Sequence, residues 1–238
     1  MSGIPCRVWA FRNDRGLEAA ELLLLDADER AQAARLKGKS DRDAFIKTRA
    51  AVRSIIGREA GIPPRDVAFR YNRWGKPQLD APDRPSVDFS VSHTKGLSVI
   101  AVARSGSVGV DAEPYRPCPD RVRIAADVFG LEVAQQLLAV DSERQDVVFL
   151  RLWTAGEAFV KARGSGFAGM NGGKVPVRLA SVGSERVVLH EDFRDDWSLK
   201  LLELGDEFAG HVVVGRGAGQ RAQDGSIELR MAAGVGSR

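Results

Sequence analysis

A proline-rich connector divides this sequence into two stretches with the same order of elements. Residues 113–120, EPYRPCPD, contain three prolines, which cannot donate a backbone hydrogen bond to a helix or a sheet. After a short opening strand pattern at 7–11, helical patterns come first on each side of the connector and strand patterns follow. No repeated residue string accompanies this repeat of elements. The order predicts an α+β chain with two similar halves in a pseudo-two-fold duplication, at 1–116 and 117–215, and a disordered tail at 216–238.

The spacing of apolar residues predicts the helices of both halves. In the first half, a helical pattern covers 17–39 and a long amphipathic helix covers 41–60, where Gly61 and two prolines end it. In the second half, we expect helices at 121–140, with a break at Phe129-Gly130, and at 145–163.

Alternating apolar residues predict strands at 7–11, 67–72, 87–92, 97–103 and 107–113, and later at 175–182, 186–191, 197–204 and 211–215. Only the turn residues Ser105-Gly106-Ser107 separate the runs at 97–103 and 107–113, and this spacing predicts an antiparallel hairpin. Between the second and third strands, residues 73–85 carry a glycine and three prolines, so no regular structure is expected there.

The composition is that of a globular protein, with 44% hydrophobic residues and a net charge of only +3. This charge argues against wholesale nucleic-acid or membrane binding. The two cysteines, Cys6 and Cys118, belong to no metal-ligand motif, and the longest leucine run, 22–25, is far too short to span a bilayer. We therefore expect a cytoplasmic protein without a targeting segment.

Two carboxylates stand at the end of an apolar strand pattern. Asp111 and Glu113 are two residues apart and therefore project to the same side of a strand. Two like charges at that distance need a cation, and hard oxygen ligands favour Mg²⁺. The alternative is a solvated strand end that leads into a turn.

The predicted helix at 145–163 presents an aromatic residue, an acid and a base on one face. Trp153, Glu157 and Lys161 are spaced four residues apart, so their side chains follow each other along the helix. An acid and a base in this order can share one phosphate site, although an ordinary ion pair along the helix gives the same spacing.

Two further clusters lie in the first half. In the turn that contains Gly75 and Lys76, glycine permits a close backbone approach and lysine supplies a cation. In the strand at 87–92, Ser90 and Ser92 share one face, and His93 follows at the strand's end. Such a histidine is either a structural residue or a phosphate ligand.

The four clusters occur in one order: G-K-P at 75–77, S-x-S-H at 90–93, G-V-D-x-E at 109–113 and W-x-x-x-E-A-x-x-K at 153–161. In this order they resemble the 4′-phosphopantetheinyl transferases of the larger, surfactin-synthetase-activating type, and the resemblance covers residues 7–215. It implies two similar α/β halves in one monomeric chain. The smaller holo-acyl-carrier-protein synthase type is trimeric and about half this length.

The resemblance implies transfer of the phosphopantetheine arm of coenzyme A to a serine of an apo acyl, peptidyl or aryl carrier protein, with release of 3′,5′-ADP. It implies that Gly75, Lys76 and Pro77 border the adenine and the 3′-phosphate, and that Ser92 and His93 contact the nucleotide's phosphates. The partner carrier protein is expected to present an acidic helix.

The metal set also follows from the resemblance. Asp111, Glu113 and Glu157 would surround Mg²⁺, with Mn²⁺ as the alternative ion, and Lys161 would face the pyrophosphate. Glu157 is the candidate that takes the serine proton, and Glu113 is the competing candidate. Lys161 would stabilise charge on the bridging or leaving oxygens.

The resemblance implies basic residues near the amino terminus that bind the 3′-phosphate. This chain has Glu29 and Gln32 at those positions. Lys39, Arg49 or Arg53 could substitute for them. Arg49 and Arg53 share one face of the helix at 41–60 and read either as an anion site or as solvated surface.

Gly156 stands where a lysine is usual in this pattern, which removes one cation and places a poor helix former beside the proposed base. This departure motivates a second hypothesis, a degenerate and non-enzymatic module that binds coenzyme A or a carrier protein. A third, a basic nucleic-acid-binding protein, rests on the arginine-rich tail and a pI near 9.0 and lacks a recognisable binding motif.

Overall fold

The computed structural model describes residues 6–84, 86–170, 173–216 and 227–231. Within these ranges the helices are α1 (Ala19–Leu24), α2 (Ala27–Arg35), α3 (Lys39–Ala60), α4 (Arg121–Val128), α5 (Leu131–Leu138), α6 (Gln145–Arg163) and α7 (Glu191–Arg194). The strands are β1 (Cys6–Phe11), β2 (Phe69–Tyr71), β3 (Pro77–Leu79), β4 (Asp88–Thr94), β5 (Leu97–Ala103), β6 (Ser107–Pro114), β7 (Val177–Leu179), β8 (Val187–Leu189), β9 (Trp197–Leu201), β10 (Phe208–Gly215) and β11 (Ile227–Met231). The predicted α+β class is confirmed.

Each half has a long helix packed on its own sheet. The first sheet has the strand order β11-β1-β5-β4, and the second has β6-β10-β9. Apolar residues of α3 pack against β4 and β5 of the first sheet, and α6 packs across β6 and β10 of the second. Both helices end at a glycine with a φ of +67°, Gly61 and Gly164, a conformation that other residues rarely adopt.

The two sheets meet where β4 and β6 run side by side. The side chains of Asp88, Ser90 and Ser92 on β4 accept the backbone N–H groups of Val108, Val110 and Ala112 on β6, at 2.7, 3.1 and 3.2 Å. Each pair is twenty residues apart, so the two strands are parallel and in fixed register. We call this contact the β4–β6 seam.

The predicted hairpin between β5 and β6 is wrong. β5 pairs with β1 on one edge and with β4 on the other, so it has no free edge for β6. β6 pairs instead with β10, the last strand of the second half. The turn at residues 105–107 therefore carries the chain from one sheet to the other.

Most helix predictions are confirmed, including the break before Leu131 and the bounds of α6. The pattern at 17–39 forms two helices because Asp26 caps a new helix, accepting the N–H of Glu29 at 2.8 Å. The prediction of no regular structure at 73–85 is wrong for β3, in which Pro77 occupies the first position, where a missing N–H is tolerated.

The tail prediction is wrong for one segment. β11 pairs in parallel with β1, from Cys6 opposite Ile227 to Ala10 opposite Met231, so this part of the tail completes the first sheet. Residues 217–226 and 232–238, on which the rest of that prediction falls, lie outside the described ranges. The division near Pro117 stays a prediction.

Across the described ranges, no helix combines the length and the apolar character that a membrane crossing requires.

Candidate active site

Asp111 lies at the centre of the candidate site, on β6 beside the seam. Asp111 is 4% exposed. Its Oδ1 accepts the Ser92 hydroxyl at 2.8 Å and the Lys161 ammonium at 2.7 Å. Its Oδ2 is buried, and no group in the described part of the chain hydrogen bonds to it. An ionised carboxylate with one buried, unpartnered oxygen is costly in free energy, so this oxygen is a candidate ligand for a cation.

Glu113 and Glu157 share the electrostatic environment of Asp111. Burial raises the pKa of the Glu113 carboxyl, and the negative charge of Asp111 raises it further. Burial and the Asp111 charge likewise raise the pKa of Glu157, which also feels the charge of Glu113. The Lys161 ammonium opposes both shifts. The two sequence motifs that carry these acids therefore meet in one site.

The described residues contain no group of three His, Cys, Asp or Glu side chains already arranged to hold a metal ion. Lys161 pairs with one oxygen of Asp111, at 2.7 Å. The donor chemistry nevertheless suits a hard divalent cation, because the oxygens are carboxylate oxygens and one of them, Asp111 Oδ2, accepts no hydrogen bond from the described residues.

His93 is an exposed residue at the end of β4. Partial burial of its ring lowers its pKa, and the positive charge of Lys161 lowers it further. His93 is therefore close enough to Lys161 to feel its charge, and its imidazole is mainly neutral at pH 7.

Asn72, which the sequence analysis did not single out, organises the turn before β3. Its Nδ2 donates to the carbonyl of Gly164 at 2.8 Å, and its Oδ1 accepts the N–H groups of Trp74 and Lys76, both at 2.9 Å. The turn is thus fixed against the carboxyl end of α6. An asparagine that opens a turn and bonds the backbone two residues on is a recognisable local signal, but its contact with α6 is not local.

Lys76 is tied to the β4–β6 seam. Its ammonium lies 2.6 Å from Asp88 Oδ2 and 3.1 Å from the carbonyl of Val108, and its side chain is 13% exposed. Gly75, just before it, has a φ of +83° and permits the tight turn. In this arrangement Lys76 joins the turn to β4 of the first sheet and to β6 of the second.

Arg53 is wrong as a coenzyme A contact. The residue is 1% exposed, and its guanidinium bonds Glu29 at 2.6 Å, the carbonyl of Val67 at 2.8 Å and the carboxylate of Asp26. Arg49 also pairs with Glu29, at 2.7 Å. Glu29 and Asp26 together balance the charges of the two arginines, and Arg53 has no face left for a phosphate.

Lys39 is an exposed side chain at the start of α3, where it pairs with Asp43 at 2.5 Å. No described contact connects it with Asp111 or Lys161, and its contact with the 3′-phosphate stays a prediction.

Gly156 makes room for an aromatic ring. The space beside its Cα is filled by that ring and is not an empty position next to the acids. A Cβ at this residue would lie 2.7 Å from Cε1 and 3.0 Å from Cζ of Phe129, and Phe129 itself is buried. The missing lysine is thus explained by packing between α6 and the end of α4.

We expect Gly156→Ala to lower the melting temperature, and Gly156→Lys to lower it further. Overpacking of this kind costs about 1–3 kcal/mol, more than the roughly 1 kcal/mol that alanine gains in helix propensity. In a Phe129→Ala background the same Gly156→Ala change should raise the melting temperature, because the ring is gone. Thermal denaturation of the unmodified chain and these four variants checks this, and stabilisation by Gly156→Ala in the unmodified chain would contradict it.

A cavity of about 260 Å³ lies beside Glu113, between the proline-rich connector and α6. Its walls are mainly apolar, with Ile124, Phe149 and Trp153 among them, and Arg116 and Glu113 provide charge. Because Glu113 is part of its wall, the cavity lies beside the candidate site as well as beside the connector.

Two family models match the chain and together cover most of it. The model described as the 4′-phosphopantetheinyl transferase superfamily matches residues 107–213, and the model described as 4′-phosphopantetheinyl transferase, N-terminal, matches residues 11–105.

Curated relatives give the same result. The 4′-phosphopantetheinyl transferase HetI of a Nostoc species is 34% identical over 191 residues, which are 80% of this chain and 78% of the relative. The 4′-phosphopantetheinyl transferase Sfp of Bacillus subtilis is 29% identical over 166 residues, 68% of this chain and 72% of the relative. An L-aminoadipate-semialdehyde dehydrogenase-phosphopantetheinyl transferase of Eremothecium gossypii is 33% identical over 172 residues, 70% of this chain and 58% of the relative.

Proposed function

The chain belongs to the 4′-phosphopantetheinyl transferase superfamily, and from this premise we propose that it transfers the phosphopantetheine arm of coenzyme A to a serine of an apo carrier protein and releases 3′,5′-ADP. The observation that carries the proposal is the buried Asp111, bonded to Lys161 and coupled by charge to Glu113 and Glu157. These are the side chains that a pyrophosphate substrate with a divalent cation requires.

The reaction forms one bond and breaks one. The serine oxygen of the carrier protein attacks the phosphorus that bears the pantetheine arm, and the bond from that phosphorus to the bridging oxygen breaks. The electron pair leaves with 3′,5′-ADP. The serine proton moves to Glu157, or in the competing assignment to Glu113. Both residues are carboxylates within the electrostatic influence of Asp111 and Lys161, and a positioned carboxylate can accept a proton in such a step.

Asp111, Glu113 and Glu157 would hold Mg²⁺, or Mn²⁺ in its place. The bound ion would offset the charge of the pyrophosphate and align it for attack. Oδ2 of Asp111 supports this assignment, because it is a buried carboxylate oxygen to which no group of the described residues donates a hydrogen bond.

Phosphate binding would fall to Lys161 and to the exposed His93, whose ring feels the Lys161 charge. The turn of Gly75, Lys76 and Pro77 would border the adenine and the 3′-phosphate. Because Lys76 already pairs with Asp88, we propose that it shapes this border through the turn's backbone while its ammonium stays in the seam.

A non-enzymatic binding module is the other hypothesis, and it was motivated by Gly156. The packing of Phe129 against Gly156 gives that residue a structural explanation, which removes the motive. We further propose that the enzyme works as a monomer in the cytoplasm, because both halves contribute to one site at the β4–β6 seam and because Cys6 and Cys118 are free thiols.

Incubation of the full chain with an apo carrier protein, coenzyme A and Mg²⁺, followed by intact mass spectrometry of the carrier, tests the proposal. The expected result is one added phosphopantetheine on the carrier and stoichiometric 3′,5′-ADP in the supernatant. Omission of coenzyme A, or chelation of the metal, should abolish both products. If acyl, peptidyl and aryl carriers all stay unmodified while the chain still binds coenzyme A, the binding-module hypothesis replaces the enzyme.

Lys161→Ala is expected to reduce kcat by about 10²–10³-fold and to raise the KM for coenzyme A. A preorganised donor near the developing charge is worth this much, and its cation also contributes to substrate binding. Lys200→Ala, at an exposed lysine on β9, is the matched control and should keep the activity of the unmodified chain. Steady-state kinetics of both variants test this prediction. Normal turnover by Lys161→Ala would refute the role of Lys161 in charge stabilisation.

A further inference from the structure

The Ser92 hydroxyl makes two hydrogen bonds, one as an acceptor and one as a donor. Its oxygen accepts the N–H of Ala112 at 3.2 Å and donates its hydrogen to Asp111 Oδ1 at 2.8 Å. A serine hydroxyl has one hydrogen to give, and here that hydrogen is used. The residue is 5% exposed, so it presents almost no surface to a ligand.

These contacts disagree with the expectation that Ser92 touches the nucleotide's phosphates. A phosphate would have to displace the bond to Asp111 and reach a buried atom. His93, the next residue, is exposed and feels the charge of Lys161, so of these two residues it is the more accessible to a phosphate.

We propose that Ser92 is a positioning residue for Asp111: it holds the carboxylate so that Oδ1 is saturated and Oδ2 is left for the divalent cation. The inference rests on the proposed function, because it concerns the acid that would hold the metal. Both protein donors, Ser92 and Lys161, bond the same oxygen, and none in the described ranges bonds the other. Rotation of the carboxylate would break both bonds, so the pair fixes its orientation.

Ser90 provides a matched control from the same strand. Like Ser92 it is buried, and like Ser92 it accepts a backbone N–H of β6, that of Val110 at 3.1 Å. Within the described ranges, no hydrogen bond joins its hydroxyl to a carboxylate. Ser90→Ala and Ser92→Ala therefore remove equivalent parts of the seam, and only the second also frees Asp111.

The test measures Mn²⁺ binding to the full chain without coenzyme A, by electron paramagnetic resonance or calorimetry, together with melting temperatures. Loss of an outer-shell partner typically weakens metal affinity 10–100-fold. We expect Ser92→Ala to raise the Mn²⁺ Kd at least 10-fold and Ser90→Ala to change it less than about 2-fold, with similar melting temperatures for both. Ser92→Cys keeps a donor hydrogen at this position but replaces the hydroxyl by a larger and weaker donor. It should bind Mn²⁺ with an intermediate Kd, and it carries the same test if the alanine variant does not fold.

Steady-state kinetics distinguish a positioning role of Ser92 from a direct contact between Ser92 and a phosphate. Ser92→Ala should need more metal for half-maximal rate while its KM for coenzyme A at saturating metal stays unchanged. An unchanged Mn²⁺ Kd with a raised KM for coenzyme A would overturn the proposal, and so would an equal loss of Mn²⁺ affinity in Ser90→Ala. If the unmodified chain binds no Mn²⁺ and transfers no phosphopantetheine, the proposed function fails first and this inference fails with it.

Discussion

Glu157→Gln is expected to lose transferase activity by about 10²–10³-fold and, in the metal-free protein at neutral pH, to melt at a higher temperature than the unmodified chain. Glutamine cannot accept the serine proton, and general-base catalysis contributes on this scale. The same change removes a negative charge from a partly buried site that already holds Asp111 and Glu113. Function and stability thus oppose each other at this residue.

The pH dependence of this effect has a defined sign. Burial and the Asp111 charge raise the pKa of Glu157 in the folded protein. Its stabilising contribution is therefore complete at pH values below the unfolded pKa and is lost as pH rises through the folded pKa. The melting temperatures of Glu157→Gln and the unmodified chain should converge on acidification and separate towards neutral pH.

Thermal denaturation between mildly acidic and neutral pH, with and without Mg²⁺, checks both parts. Added Mg²⁺ should raise the melting temperature of the unmodified chain and raise that of Glu157→Gln less. Glu132→Gln, at an exposed acid on α5, is the control for charge alone. Retained activity in Glu157→Gln, with a loss in Glu113→Gln instead, would assign the proton transfer to Glu113.

Much of the candidate site could be predicted because its signals are local. Helical spacing places Glu157 and Lys161 on one face, and strand alternation places Asp111 and Glu113 on one side. α6 has the bounds that its apolar pattern and Gly164 predict. These features depend on residues at most a few positions apart.

The β4–β6 seam could not be predicted in this way. Alternation does put Ser90 and Ser92 on one face, but no local rule shows that this face accepts the N–H groups of a strand twenty residues later. The turn at 105–107 is a good hairpin signal, yet β1 already occupies the edge of β5. Tertiary pairing therefore overrides the local signal.

Arg53 fails as a prediction for the same reason. Its spacing from Arg49 is visible in the sequence, but its partners Glu29 and Asp26 lie on another helix, α2, and at its N-cap. Phe129 and Gly156, twenty-seven residues apart, likewise fit each other only in the folded chain. A sequence pattern identifies which residue types could form a site. The fold decides which other residues those side chains contact.

The second large effect is expected at Gly109, the glycine of the G-V-D-x-E motif. A Cβ at this residue would lie 2.0 Å from the carbonyl oxygen of Ala158 and 2.3 Å from the nitrogen of Ala162. Both atoms belong to the backbone of α6, so neither can rotate away. The absence of a side chain is what lets β6 lie directly against the helix.

This close approach positions the chemistry. Asp111 is two residues along β6 from Gly109, and its bond to Lys161 joins the strand to the same helix at 2.7 Å. Gly109→Ala must push α6 away from β6, which would lengthen that bond and open the core between Ala158, Ala162 and the strand. We expect a loss of about 3 kcal/mol or more in the free energy of unfolding, a fall of roughly 6–12 °C in melting temperature, and loss of transfer activity even where the variant is folded.

Gly16→Ala is the matched control, because a Cβ there meets no atom within 4 Å, and its melting temperature should stay within about 2 °C of the unmodified chain. Circular dichroism melts and transfer rates at a temperature where all three proteins are folded separate the two expected effects. A Gly109→Ala protein with the melting temperature and activity of the unmodified chain would mean that β6 and α6 can move apart at no cost. The distance between these two elements would then not be what places Asp111 against Lys161.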